Sequence, residues 1–354
     1  MTTHQTYMRR CFELAVRGAG SVAPNPMVGA VIVYDNKIIG EGFHEKYGQA
    51  HAEPNAINSV NDSSLLKKST LYVNLEPCSH IGKTPPCAAL IIEKQIPRVV
   101  IANGDPNPKV AGRGIRMLQE AGIEVVTGVL EQEGRELNRR FFCFHEKHRP
   151  YIILKWAQSS DGFIDKLRND RHSSPVQFST PETQQLNQQL RTEEAAILVG
   201  THTVLLDNPR LTNRSGMGKN PLRIAIDRNG KIPADFHLLD DSIDTLIFTE
   251  KHRENTIHTE FLQLDFSKNI IPQLLAELHR RNILSLVVEG GAKLLQSFIS
   301  DGLWDEARVE TAPIQLQQGV SAPQLAQNSL TETKFFGENK IEYFRQGKYS
   351  ELSR

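Results

Sequence analysis

The sequence has no run of about 18 apolar residues, so it offers no membrane-spanning helix. Its opening stretch, MTTHQTYMRRCFELAVRGAG, lacks the continuous apolar segment of an export signal, and the expected location is the cytoplasm. Net charge is missing too: Lys+Arg and Asp+Glu stand at 41 each, with no basic block to track a nucleic-acid backbone. A small anionic ligand needs only a few local cations and stays open. Cysteine is scarce. The four present, Cys11, Cys78, Cys87 and Cys143, are too scattered for a disulfide scaffold and read as thiols or metal ligands. No G-x-G-x-x-G follows any strand, which argues against an ordinary Rossmann site. Repeats and low-complexity segments are absent. What remains is globular composition, 39% hydrophobic and 23% charged, in a 354-residue chain long enough for two domains.

Periodicity organises the first half. Met8, Cys11, Phe12 and Ala15 recur at helical spacing over residues 5–18. VGAVIVYDNKIIGEGF predicts two strands around an Asp35-Asn36 turn. A short helix over 52–60 tolerates Pro54 only in its first turn. Strand TLYVNLEPC, helix CAALIIEK, strand RVVIA, helix GIRMLQEAG and strand IEVVTG then alternate as βαβαβ, predicting a sheet with helices on its faces. One charged helix is expected over 131–147, and Pro150 punctuates the passage into a second domain, giving domains 1–147 and 148–354. That second domain also alternates, with strands at YIILKWAQSSDG, AAILVG, LRIAID, TLIFT and LSLVVEGG and near 304–314 and 340–346. Its helices are expected over 181–191 (Thr180 as cap, Pro181 first), 270–281 and 292–300, with loops at 207–220 and 250–260.

One constellation carries chemistry. A catalytic zinc takes three protein ligands and keeps its fourth position for water. His51, Cys78 and Cys87 supply that set, the two cysteines in the proline-rich loop EPCSHIGKTPPC. Glu53, two residues past His51, is too close in sequence for a comfortable further ligand but well placed to exchange protons with a bound water. His-x-Glu followed by Pro-Cys and a second Cys is the pattern of zinc deaminases of nucleobases. Eight residues separate the cysteines here, where the general pattern has two. A structural zinc is the alternative reading, with His80 the nearby candidate for a fourth ligand.

NPMVGAVIV, HAEPNAI, LEPCSHIGKTPPC and NGDPNPKVAGRGIRMLQEAGIEV closely resemble, in that order, the deaminase half of the bifunctional riboflavin-biosynthesis deaminase/reductases. The resemblance continues through LKWAQSSDG, ILVGTHTVLLDNPRLTNR, PLRIAID and VVEGGAKLLQSFI, and so spans nearly the whole chain. It implies an N-terminal cytidine-deaminase-like α/β/α sandwich and a C-terminal dihydrofolate-reductase-like α/β domain. The first would deaminate 2,5-diamino-6-ribosylamino-4(3H)-pyrimidinone 5′-phosphate with Zn2+. The second would use NADPH to reduce the ribosyl chain of 5-amino-6-(5-phosphoribosylamino)uracil. Partners would be these small phosphorylated pyrimidines, with no nucleic acid and no membrane, in a homo-oligomer. A zinc deaminase of another nucleotide or base, with an inactive or divergent second domain, is the competing reading.

By matching motif, the resemblance assigns Glu53 to catalysis and His51, Cys78 and Cys87 to the metal. Asn25, His80, Lys83 and Thr84 would contact the deaminase substrate. Ala157, Thr203, Asp207 and Gly291 would contact NADPH, and Arg191, Leu211, Arg214 and Glu289 the reductase substrate. Arg191 and Arg214 suit a ribose phosphate, because a guanidinium fork matches phosphate oxygens. Either Asp161 or Glu289 would assist proton transfer. Ile81 and Lys83 depart from the family pattern, as does the basic stretch FIDKLRNDRHSSPVQFST, Phe163–Thr180, from which no residue is carried over.

Overall fold

In a computed structural model the chain divides into two compact units, Met1–His148 and Arg149–Arg354. Residues 3–79, 85–108, 110–216, 218–326 and 329–347 are described.

The first unit runs α1 (Thr3–Val16), β1 (Gly29–Tyr34), β2 (Lys37–Phe43), α2 (Ala52–Asn58), β3 (Thr70–Leu75), α3 (Cys87–Glu93), β4 (Arg98–Asn103), α4 (Arg113–Glu120), β5 (Glu124–Val126), α5 (Glu131–Leu137) and α6 (Arg139–Lys147). Its sheet has the order β2-β1-β3-β4-β5, with β1 antiparallel to both neighbours and β3, β4 and β5 parallel. Asp35 and Asn36 both take positive φ, 48° and 58°, as a two-residue hairpin turn requires. Side chains alternate across each strand, so apolar runs such as GAVIVY feed two cores at once. Ala30, Ile32, Leu71, Val73, Val99 and Ile101 pack against α2, α3 and α4, while Val31, Tyr72 and Val100 pack against Met8, Cys11 and Leu14 of α1.

The single helix expected over 131–147 is two helices, α5 and α6, meeting at Asn138. The break has a cause. Buried Asn138 turns its side-chain amide to the backbone of Met27, accepting its N–H at 2.9 Å and donating to its carbonyl at 2.9 Å.

The second unit follows as β6 (Tyr151–Ser159), β7 (Phe163–Asp165), α7 (Pro181–Glu193), β8 (Ala196–Gly200), α8 (Thr201–Asp207), β9 (Leu222–Ile226), β10 (Thr245–Thr249), β11 (Thr259–Gln263), α9 (Ile270–Arg280), β12 (Ser285–Glu289), α10 (Ala292–Ser300), β13 (Glu306–Ala312), β14 (Val320–Ser321), β15 (Leu330–Phe336) and β16 (Asn339–Arg345). A sheet of order β11-β10-β9-β8-β12-β6-β13-β16-β15 forms its centre. It is parallel from β11 to β13 and antiparallel at β16 and β15. Thr180 caps α7 by accepting the Thr183 N–H, with Pro181 in the first turn. Part of the 250–260 segment expected as loop enters β11, which pairs in parallel with β10. Among the described residues no helix is long and apolar enough to cross a membrane.

Candidate active sites

His51 is the N-cap of α2, and Cys87 opens α3. These two helix starts lie beside the ends of the central strands and meet Cys78, which follows β3. His51 Nδ1 is 3.6 Å from Cys78 Sγ and 3.4 Å from Cys87 Sγ, and the three ligand atoms all lie within 4.8 Å of one another. A tetrahedral zinc with ordinary Zn–S and Zn–N bonds sets sulfur and nitrogen about 3.6 Å apart, so this donor set fits the ion. The Cys87 backbone N–H donates to Cys78 Sγ at 3.3 Å. Hydrogen bonding from Cys87 and His51 pulls the Cys78 thiol below its ordinary value against the opposing effect of burial, which favours the thiolate a metal needs. The same hydrogen bond with Cys78 is the main influence holding His51 above its usual pKa.

Glu53 sits on the first turn of α2 and is 3% exposed. Burial pushes its carboxyl up to about 7, with His51 opposing. A carboxyl poised there can both accept and return a proton at neutral pH. It lines a cavity of about 370 Å³ together with Asn25, His44, His51, Cys78 and Asp105. His44, which sequence reasoning missed, is kept neutral mainly by burial. Its Nδ1 bonds the Ala50 carbonyl at 3.0 Å, so its Nε2 accepts from Asn25 Nδ2 at 3.1 Å. That orients Asn25 at the cavity wall. Asp105, also missed, is pushed up to about 6, chiefly by burial. His80, Lys83, Thr84 and the departure at Ile81 lie outside the described residues.

The second unit carries a cavity of about 700 Å³ at the ends of β6, β8 and β12. Ala157, Thr203, Asp207, Gly291, Arg191, Leu211 and Glu289 all line it. Arg214 does not; it is exposed, and its charge reaches Glu289 only through space. Gly290 and Gly291 both take positive φ, 79° and 81°, and a side chain on Gly290 would press on Thr203 at 3.0 Å. The bare backbone therefore opens the start of α10 to the cavity, a place suited to phosphate. Arg191 does not stand free for a phosphate: it pairs with Glu289 at 2.9 Å and donates to the Thr212 carbonyl at 3.2 Å. Arg191 Nε and Glu289 Oε1 are buried with no hydrogen-bond partner among the described residues, polar capacity left over beside the cavity.

The model of the cytidine and deoxycytidylate deaminase zinc-binding region matches residues 1–103, and that of the RibD C-terminal domain matches residues 150–337. The riboflavin biosynthesis protein RibD of Aquifex aeolicus is 39% identical over 96% of this chain and 95% of its own. RibD of Bacillus amyloliquefaciens is 44% identical over 90% of this chain and 86% of its own. The crystal structure of the Thermotoga maritima diaminohydroxyphosphoribosylaminopyrimidine deaminase/5-amino-6-(5-phosphoribosylamino)uracil reductase superposes with a TM-score of 0.87 at 36% identity, covering 97% of this chain and 98% of that one. The chain belongs to the RibD family.

As a RibD protein it is a bifunctional enzyme of riboflavin biosynthesis, a zinc-dependent deaminase joined to an NADPH-dependent reductase. The RibD fold is the deaminase-like and dihydrofolate-reductase-like pair that the sequence motifs implied. Two further RibD cavity residues, Lys155 and Arg168, were not singled out from the sequence. Lys155 lies inside the quoted motif LKWAQSSDG, whereas Arg168 falls in the divergent stretch and carried no motif signal.

Proposed function

We propose that the first cavity deaminates 2,5-diamino-6-ribosylamino-4(3H)-pyrimidinone 5′-phosphate and that the second reduces the ribosyl chain of the deaminated product. The convergence of His51, Cys78 and Cys87 around buried Glu53 carries the reading. Zinc, when bound, lowers the pKa of water from 15.7 to about 7. Glu53 takes one proton of the attacking water and gives it to the ring nitrogen, then carries the adduct's hydroxyl proton to the leaving amine. The amino-bearing ring carbon passes through a tetrahedral adduct and expels ammonia. Asn25, fixed by His44, is assigned to a pyrimidine edge. His80, Lys83 and Thr84 remain assigned to the same substrate through their motif.

In the second cavity NADPH supplies the hydride. Thr203, Asp207, Gly291 and Ala157 are assigned to the cofactor, and Arg191, Leu211, Arg214 and Glu289 to the sugar phosphate. Glu289 is favoured over Asp161 as the group beside the reacting nitrogen. Asp161 spends its carboxylate on Ser159 Oγ and the backbone N–H groups of Leu316 and Gln317. Burial would raise the Glu289 pKa, but the charges of Arg191 and Lys155 outweigh it and keep the group ionised. An anion there stabilises the protonated imine that forms on opening of the ribosylamine. Hydride addition to its C1′ then gives the ribityl amine. A cytoplasmic homo-oligomer completes the proposal, checked by size-exclusion chromatography with light scattering.

The test measures ammonia and ribityl product separately, with the diaminopyrimidinone substrate and with or without NADPH. Ammonia is expected in both conditions and the ribityl product only with NADPH. Glu53→Gln is expected to keep zinc and lose about 10²–10⁴-fold in ammonia release. A zinc-loaded Glu53→Gln enzyme with full activity would sink the mechanism.

A further inference from the structure

The wall of the second cavity contains an ion-pair hub that the proposed chemistry does not use. Arg168 lies in the segment after β7, and its side chain is only 3% exposed. Its Nε donates to Asp165 at 2.6 Å and its Nη2 to Asp207 at 2.5 Å. Its Nη1 donates to the carbonyls of Ser173 at 3.2 Å and Leu206 at 3.5 Å. Those partners come from two places. Asp165 ends β7 and Ser173 lies in the loop that follows it, which Asp165 also closes by accepting the N–H groups of Lys166 and Val176. Leu206 and Asp207 are the last turn of α8. A cation at that helix end is favourable in its own right.

Most of the guanidinium is spent inside the protein, so Arg168 is a poor candidate for a cofactor phosphate. Its geometry does something else. Asp207 gives only Oδ1 to Arg168, and Oδ2 has no hydrogen-bond partner among the described residues. The Asp207 side chain stays 30% exposed on the cavity wall. A carboxylate with one oxygen clamped and one free is oriented toward hydroxyl donors such as those of a ribose. The clamp also draws the loop against α8, where Leu167 and Pro175 become wall residues of the same cavity. On the far side the loop is anchored by β14, which pairs antiparallel with β7.

We propose that Arg168 is a positioning residue for the reductase, fixing the Asp207 carboxylate and seating the 165–176 loop as one wall of the NADPH site. This rests on the assignment of Asp207 to the cofactor. Because Arg168 acts on binding before and during reaction alike, its loss is expected to raise the KM for NADPH and leave kcat nearly unchanged.

The experiment is a double-mutant cycle on the zinc-loaded, full-length enzyme. NADPH affinity is read from cofactor fluorescence, and KM and kcat from NADPH oxidation with the deaminated substrate. Arg168→Met and Asp207→Asn are each expected to weaken NADPH about tenfold, the scale of one lost charge-assisted hydrogen bond. The double variant is expected to lose less than the two singles combined, because they share the Asp207 carboxylate. Arg168→Lys, which can hold Asp207 but not the carbonyls as well, is expected to recover part of the affinity. If Asp207→Asn binds NADPH normally, the assignment of Asp207 fails and the proposal with it. If Asp207→Asn is impaired while Arg168→Met is within twofold of the parent, or the two losses add, the assignment stands and the positioning role is overturned. Should Arg168→Met not fold, an Arg168→Gln variant, which removes the charge that holds Asp207, with unchanged NADPH KM overturns the role equally.

Discussion

Glu289 ties the second cavity to the pH behaviour of the unit around it. Its pKa lies below the ordinary carboxylate range: burial pushes upward, and Arg191 and Lys155 push harder the other way. Stability from the ionised form is thus fully present above the unfolded value of about 4.3 and is lost as pH falls through the lower folded value. Glu289→Gln is expected to be less stable than the parent at pH 7 and to converge with it in acid, read by urea unfolding at both pH values. An equal gap at both would remove charge as the cause. At this scale legibility followed chemistry. Few side chains bind zinc, so His51, Cys78 and Cys87 stood out by type and spacing, and the fold brings them together. Carboxylates and single histidines serve too many ends to be singled out, which is why His44, Asp105 and Arg168 were invisible. Arg191 lines the cavity, but its pairing could not be read from the sequence, since Arg191 lies on α7 and its partner Glu289 ends β12, far away in the chain.

Among the elements, the link from β3 through its following loop to α4 depends on one carboxylate. Glu76 is 4% exposed and accepts the backbone N–H groups of Asp105, Gly112, Gly114 and Ile115 at 2.9–3.2 Å. Three of these donors lie at the start of α4, where an anion is also favoured by the helix dipole. Gly114 has no room for a side chain: a Cβ there would come within 1.9 Å of the Pro77 carbonyl oxygen. Glu76→Ala strands these donors and is expected to cost about 2–4 kcal/mol in urea unfolding. Glu76→Gln should recover part of that. Ammonia release should fall in both variants, because Asp105 loses its anchor at the cavity wall. The elements that were legible have a buried face written in period 2 or 3.6. Those missed lack one: β15, LTETKFF, is exposed along nearly its whole length at a sheet edge. Nor does composition announce the break between α5 and α6, because the demand for Asn138 comes from the distant backbone of Met27.

The whole molecule joins two units whose cofactors should be separable by chemistry. Stripping zinc with a chelator is expected to abolish ammonia release and lower the melting transition of the unit bearing His51, Cys78 and Cys87. NADPH oxidation with the already deaminated substrate should persist in the same sample, and its loss would show that the reductase depends on the metal. Pro150 and the return of strand periodicity after it set a sequence boundary at 147/148, and the compact units divide between His148 and Arg149. The strand order of the second sheet was not legible, because periodicity says which residues are buried and nothing about which strands are neighbours. That order bears on biosynthesis. β6 is made first in its unit, yet its partners are β12, beginning at Ser285, and β13, beginning at Glu306. At ordinary translation rates the ribosome needs roughly 6–25 s to reach the nearer one. Through that interval YIILKWA waits as a nascent apolar strand with both edges open, while the unit before it is already complete. Slow translation, or a stop before β12, would leave a chain with a finished deaminase and a sticky tail, an obvious client for chaperones.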